Sequence, residues 1–178
     1  KQNADEFNEF DTFNYPHLCE AGVNFNFNEH NILKPDFTKP MLPHFDLDNN
    51  VIIFSLFPGI EEHLIHHMFD APELRSIVMR SYGSCNAPQQ PWLMNLLRKV
   101  TERNVIVVNI SQCISGQVEM NRYDTGYQLK DAGVISGYDS TVEAAVTKLM
   151  YLQAKYKDTE TIRKYMKQSI AGEITIYN

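Results

Sequence analysis

The run VIVVNIS, residues 105–111, limits the possible folds more than any other part of the sequence. It is too apolar for a strand with one solvated face, so it predicts a strand covered on both sides. Two further β-rich runs precede it, VIIFSLF at 51–57 and LRSIVMRS at 74–81. Together they predict a small parallel sheet whose two faces are both buried.

The segments between these runs have helical periodicity. In IEEHLIHHMF, residues 60–69, Ile60, Leu64 and Met68 recur at helical spacing and predict a helix, with Leu64, Ile65 and Met68 opposite a solvated histidine face. Residues 89–102 form the next predicted helix, and Val134-Ile135 is a short fourth strand candidate. Alternating strands and helices indicate a three-layer α/β domain of the Rossmann/flavodoxin-like class. In such sheets ligands bind beyond the carboxyl ends of the strands, here 58–59, 82–88 and 112–124.

Two helices with marked ends are predicted near the C-terminus. Ser140 and Glu143 have the spacing of a capping box, in which the hydroxyl and the carboxylate each satisfy a free backbone N–H. Asp158 is placed to cap the following helix, and Gly172 to end it.

The first 49 residues differ from the rest of the chain. They are rich in Phe, Asn and Pro, and VNFNFN at 23–28 alternates as a half-exposed strand does. The division predicted is an extended arm at 1–49 and the α/β domain at 50–178. The 43% hydrophobic content argues against wholesale disorder, and the net charge of −6 against a nucleic-acid binder. The apolar runs are too short to span a membrane. Three cysteines without close pairing are typical of reduced thiols, so a cytoplasmic protein is expected.

Several residues are candidates for metal or ligand binding. His63 and His67 are four residues apart on one predicted helix, but without further ligands a solvated face is favoured and no metal site is predicted. In YGSCNAP, Asn86 either approaches a ligand or caps the next helix, and spacing alone favours the cap. Arg80 ends an apolar strand, where it forms a salt bridge or binds a ligand carboxylate.

Four blocks of the chain resemble the C-terminal domain of bacterial type I (cytoplasmic) L-asparaginase. They are LRSIVMRSYGSCNAPQQP, VIVVNISQCISGQVEMNRYDTG, AGVISGYDSTVEAAVTKLMYL and DTETIRKYMKQSIAGEIT. The likeness runs from about residue 50 to 174. NADEFNEFDTFNYPHLCEAGV is similar to the tail of the family's N-terminal domain, so residues 1–49 are interpreted as that tail and the interdomain linker.

The resemblance implies hydrolysis of L-asparagine to aspartate and ammonia by a threonine nucleophile, without a metal or organic cofactor. The TGGTI and HGTDT segments that carry the threonines and an aspartate are absent, so this chain alone is expected to be inactive. Lys1 matches the catalytic lysine. Asn86 matches an asparagine that reaches a neighbouring subunit's substrate, although Cys85 replaces a glycine beside it. Tyr123 borders the same site, and Arg80 and Cys113 match residues of a second, effector asparagine pocket.

The resemblance also implies partners: the N-terminal asparaginase domain and further copies of the chain in a homodimer or homotetramer. Two alternatives stay open at this point. One is the glutamine-hydrolysing component of a tRNA-dependent amidotransferase, which shares this domain plan. The other is a binding domain that keeps an amino-acid pocket and has no catalysis.

Overall fold

The structure is a computed structural model, and it describes residues 4–5 and 11–175. The chain divides into two compact units, Lys1–His44 and Phe45–Asn178. Among the described residues of the first unit, strands β1 (Cys19–Ala21) and β2 (Phe25–Phe27) pair antiparallel, with Cys19 opposite Phe27. The strand predicted at 23–28 is confirmed in shortened form. The side chains of Phe25 and Phe27 are 70% and 63% exposed.

The second unit contains a parallel sheet of four strands within its described part, in the order β3-β4-β5-β6. The strands are β3 (Val51–Ser55), β4 (Ser76–Ser81), β5 (Ile106–Ser111) and β6 (Ile135–Ser136). The helices are α1 (Glu62–Phe69), α2 (Pro91–Glu102), α3 (Asp124–Asp131), α4 (Val142–Lys155) and α5 (Thr159–Met166).

The sheet lies between two helical layers. Ile77 and Met79 of β4 pack with α1, α2 and α3 on one face, whereas Val78 packs with α4 and α5 on the other. Right-handed crossovers between successive neighbouring strands place their helices on the same face, and helices α4 and α5, which follow β6, cover the opposite one. The predicted three-layer α/β fold with a short parallel sheet is confirmed.

The buried face of α1 differs from the prediction. Ile65 and Phe69 are buried, while Leu64 and Met68 are 62% and 39% exposed. Ile60 is buried but precedes the helix, so a helical spacing counted from it selects the wrong face. Phe69 meets Phe54 edge-to-face at 5.0 Å between ring centroids, which fixes the helix on the sheet.

The predicted helix ends were right in one case of three. Asp158 caps α5, accepting the N–H of Thr161 at 2.8 Å. The capping box is wrong because Thr141, not Ser140, is the N-cap of α4 and accepts the N–H of Ala144. Gly172 does not end α5, whose C-cap is Lys167; its φ of +83° belongs to the loop beyond.

No helix within the described ranges is long and apolar enough to cross a bilayer.

Candidate functional site

The side chain of Gln112 joins the carboxyl ends of two strands. Its Nε2 donates to the carbonyl oxygens of Leu56 at 2.7 Å and Arg80 at 2.9 Å. The loop after β5 is thereby held against the ends of β3 and β4. Sequence reasoning missed Gln112; its position as the first residue after an apolar strand was the available signal.

Arg80 lies at this edge with part of its guanidinium unsatisfied. Its Nε is buried without a hydrogen-bond partner, and Nη1 makes a long 3.5 Å contact with Ser55 Oγ. Within residues 4–5 and 11–175 no carboxylate forms an ion pair with it, so the salt-bridge alternative is not supported there. A buried donor without a partner costs about 1–3 kcal/mol, more for a charged group. The Arg80 side chain therefore carries one unmet hydrogen bond at this end of the strand.

The turn that carries Asn86 is a closed loop rather than a helix cap. The backbones of Tyr82 and Asn86 exchange two hydrogen bonds, both 2.8 Å, and Gly83 takes a φ of +50° between them. Helix α2 begins only at Pro91, with Gln90 as N-cap. The predicted cap at Asn86 is therefore wrong, and its exposed side chain points from a fixed turn.

Two hydrogen bonds tie this turn to the loop after β5. Ser111 Oγ donates to the carbonyl of Gly83 at 2.7 Å, and the N–H of Glu119 donates to the carbonyl of Ser84 at 2.8 Å. Ser111 Oγ also accepts the N–H of Cys113 at 2.9 Å. The structure therefore connects the segments of Asn86, Arg80 and Cys113 through Ser111 and Gln112, and Cys113 itself is exposed.

A buried polar group lies beneath the turn. Cys85 is fully buried, and Asn109 Nδ2 is 3.5 Å from its sulfur. Burial raises the pKa of the Cys85 thiol, which keeps it protonated and unsuited to nucleophilic attack. Asn109 Oδ1 and Ser81 Oγ are buried without partners. Asn109 stands between apolar residues inside VIVVNIS, so the sequence carried a signal for it.

A further predicted residue, Tyr123, stands apart from this network. Tyr123 is the N-cap residue of α3, 41% exposed, with the Arg122 guanidinium 5.6 Å from its ring centroid. It borders the loop after β5, and no described contact joins it to Asn86. Lys1 lies outside the described residues.

The three histidines of α1 lie elsewhere, beside Trp92. No group of three or more metal-ligating side chains occurs in the part of the chain that the structure describes.

The comparisons with known proteins identify the family. Residues 50–166 match the Glutaminase/Asparaginase C-terminal domain, and the chain belongs to that family. The chain is 38% identical to L-asparaginase 1 of Escherichia coli strain K12 over 175 residues, 98% of this chain and 51% of that protein. It is 34% identical to the human 60 kDa lysophospholipase over 176 residues, 98% of this chain and 30% of that protein.

A solved structure agrees with the family. L-asparaginase I from Vibrio cholerae superposes with a TM-score of 0.90 at 36% identity, covering 98% of this chain and 52% of the other. The expected resemblance to the type I C-terminal domain is confirmed. The chain spans about half the length of these asparaginases. A glutamyl-tRNA(Gln) amidotransferase component from Saccharolobus islandicus matches only 71% of the chain, so the amidotransferase alternative is less supported.

Proposed function

We propose that the protein to which this chain belongs is an L-asparaginase that hydrolyses L-asparagine to L-aspartate and ammonia. The observation that carries the proposal is the 38% identity to an L-asparaginase over 98% of this chain. Residues 1–49 would be the end of the N-terminal domain and the linker, and residues 50–178 the C-terminal domain. The threonine nucleophile comes from the N-terminal half, and this chain supplies Lys1 to the proton-transfer set.

Asn86 is proposed to reach the substrate of a neighbouring subunit, with Tyr123 at the border of that site. A rigid turn favours such a role because it holds the exposed amide in one place, and an amide both donates and accepts hydrogen bonds. The proposal therefore includes assembly into a homodimer or homotetramer, in the cytoplasm.

Arg80 and Cys113 are proposed to line a second pocket, for an effector asparagine. The unpartnered Arg80 Nε supports this role, since a guanidinium at a strand end is suited to bind an α-carboxylate. Gln112 links the backbone of Arg80 to the loop of Cys113. Asparagine bound in the pocket would therefore affect the position of both segments.

The activity is tested by fusing the chain to the N-terminal half of E. coli L-asparaginase 1 and measuring ammonia release. The fusion should hydrolyse asparagine, and the 178-residue chain alone should not. Faster release from glutamine than from asparagine would favour the amidotransferase alternative. Asparagine binding by calorimetry without activity in the fusion would favour a non-catalytic binding domain.

The effector site is tested in the same fusion with Arg80→Ala. We expect sigmoidal dependence on asparagine to become hyperbolic, while Arg98→Ala, a surface arginine paired with Asp131 at 2.9 Å, leaves it unchanged. Sigmoidal kinetics retained in Arg80→Ala would refute the effector role.

A further inference from the structure

Helix α1 presents two histidines to solvent on one face. His63 and His67 are four residues apart and exposed, which places their Cβ atoms about 6 Å from each other on successive turns. Imidazole nitrogens bind transition metals at about 2.0–2.1 Å, so two rings at this spacing can share one ion.

A carboxylate already orients the first of these rings. Glu61 Oε2 lies 3.2 Å from His63 Nδ1, which leaves His63 Nε2 free to bind a metal. Metal-binding histidines characteristically donate their other N–H to a carboxylate, which fixes the tautomer and makes the ligand more basic. His66 is less exposed than these two residues, and its Nδ1 lies 2.8 Å from Asp70 at the other end of the helix.

These side chains line a common concavity. A surface cavity of about 610 Å³ is bounded by Glu61, Glu62, the three histidines and Trp92. Its two carboxylates make it favourable for a cation. Trp92 is the one tryptophan of the sequence and lines this cavity, so a metal bound there would change its fluorescence.

We propose that His63 and His67 bind one divalent transition-metal ion on the surface of α1, with water in the remaining coordination positions. The chemical class is set by the ligands: two neutral imidazoles favour Cu²⁺, Ni²⁺ and Zn²⁺ over Mg²⁺ or Ca²⁺. Two side-chain ligands without a third make an exchangeable site rather than a structural one. None of the residues that line this cavity is proposed to bind asparagine, and the site does not depend on the proposed activity.

The test is titration of the 178-residue chain with Cu²⁺, which leads the Irving–Williams order, while Trp92 emission is recorded. We expect saturable quenching that EDTA reverses. His63→Ala and His67→Ala should each abolish saturation, and Glu61→Gln should weaken binding about tenfold as an outer partner of the ligand. His66→Ala is the matched control and should bind as the parent does.

Circular dichroism of each variant shows whether α1 and the rest of the domain stay folded, and His63→Gln and His67→Gln replace any alanine variant that does not. Linear, unsaturable quenching of the parent would overturn the proposal. Equal loss of Cu²⁺ binding in His66→Ala and His63→Ala would overturn it as well. Binding of Mg²⁺ with the same affinity as Cu²⁺ would also contradict it.

Discussion

Lys148 is a cation placed almost wholly inside the protein. Its side chain is 3% exposed, and its Nζ lies 2.5 Å from Glu173 Oε1 and donates to the carbonyls of Met166 and Gln168. Glu173 also accepts the backbone N–H groups of Ile170 and Ala171. Because a buried charge is tolerated only when it is paired and hydrogen-bonded, this pair attaches the segment after α5 to α4.

Glu173→Gln should therefore lower the stability of the folded chain strongly. Removal of one member of a buried ion pair leaves the other charge unpaired, at a cost of about 3 kcal/mol. Urea unfolding measures the change in the free energy of unfolding. Glu160→Gln is the control: that carboxylate is 85% exposed, lies 3.7 Å from Arg163, and should change stability by less than about 1 kcal/mol. Equal effects of the two substitutions would refute the role of the buried pair.

The pair also predicts a dependence on pH. Burial by itself would raise the pKa of Glu173, but the bonds from Lys148 and the backbone outweigh it, and its pKa lies below the ordinary 4.5. A carboxyl whose pKa is lower in the folded state stabilises the fold above its unfolded pKa, and this contribution is lost as the pH falls through the folded value. The difference in unfolding free energy between the parent and Glu173→Gln should thus be constant at neutral pH and shrink below pH 4.5.

Gly126 shows a second constraint at a single residue. It lies within α3, and a Cβ there would be 2.6 Å from the carbonyl oxygen of Met120. Alanine normally favours a helix, yet Gly126→Ala should destabilise the protein by about 1–3 kcal/mol because a backbone atom has to move. Thermal melting measures this loss of stability. The control is Gln128→Ala, at an exposed position of the same helix, where alanine should be neutral or stabilising. A higher melting temperature for Gly126→Ala would contradict this close approach.

At the level of the elements, two neighbouring hydroxyl residues are candidates for the N-cap of α4. Thr141 Oγ1 accepts the N–H of Ala144 at 3.2 Å, whereas Ser140 Oγ donates to the carbonyl of Thr141. Thr141→Ala should cost about 1 kcal/mol, and Ser140→Ala much less. Chemical denaturation of both variants measures the difference. A larger loss of stability in Ser140→Ala than in Thr141→Ala would support the capping box that the sequence predicted.

The sequence allowed the strands to be predicted well because burial on both faces leaves a continuous apolar run. VIVVNIS became β5, and the short candidate at Val134-Ile135 became β6 at Ile135–Ser136. The inward face of α1 was not predictable in the same way. Ile60, Leu64 and Ile65 are all apolar, and tertiary packing of Phe69 on Phe54 decides which side is covered.

The candidate site was predictable in part. Its location followed from parallel topology, and Arg80 was recognisable as a charge ending an apolar strand. The contacts of Gln112 and Ser111 were not, since both join segments that are distant in sequence, Leu56 and Gly83 among them. Asn86 was assigned to a cap because spacing alone does not show that its backbone pairs with Tyr82.

At the scale of the whole molecule, apolar side chains are exposed mainly in one part of the chain. Phe37, Met41 and Phe45 are 91%, 90% and 86% exposed, and residues 40–50 contain neither helix nor strand. By contrast, the sheet of the second unit is buried on both faces by its helices. The two regions should therefore differ sharply in local stability.

Chymotrypsin should cut the folded chain first at Phe37 and Phe45, because both side chains are highly exposed and lie outside helices and strands, where little structure has to open before the protease can bind. Phe54 and Phe69, 3% and 0% exposed, should resist until the domain unfolds. Mass spectrometry of a time course should show a persistent fragment that begins at Thr38 or Asp46 and contains the four strands of the sheet. Phe37→Ser is the matched variant and should remove the first of these fragments while leaving the second. Equally rapid cleavage after Phe54 or Phe69 would show that the α/β domain is not a stable unit on its own.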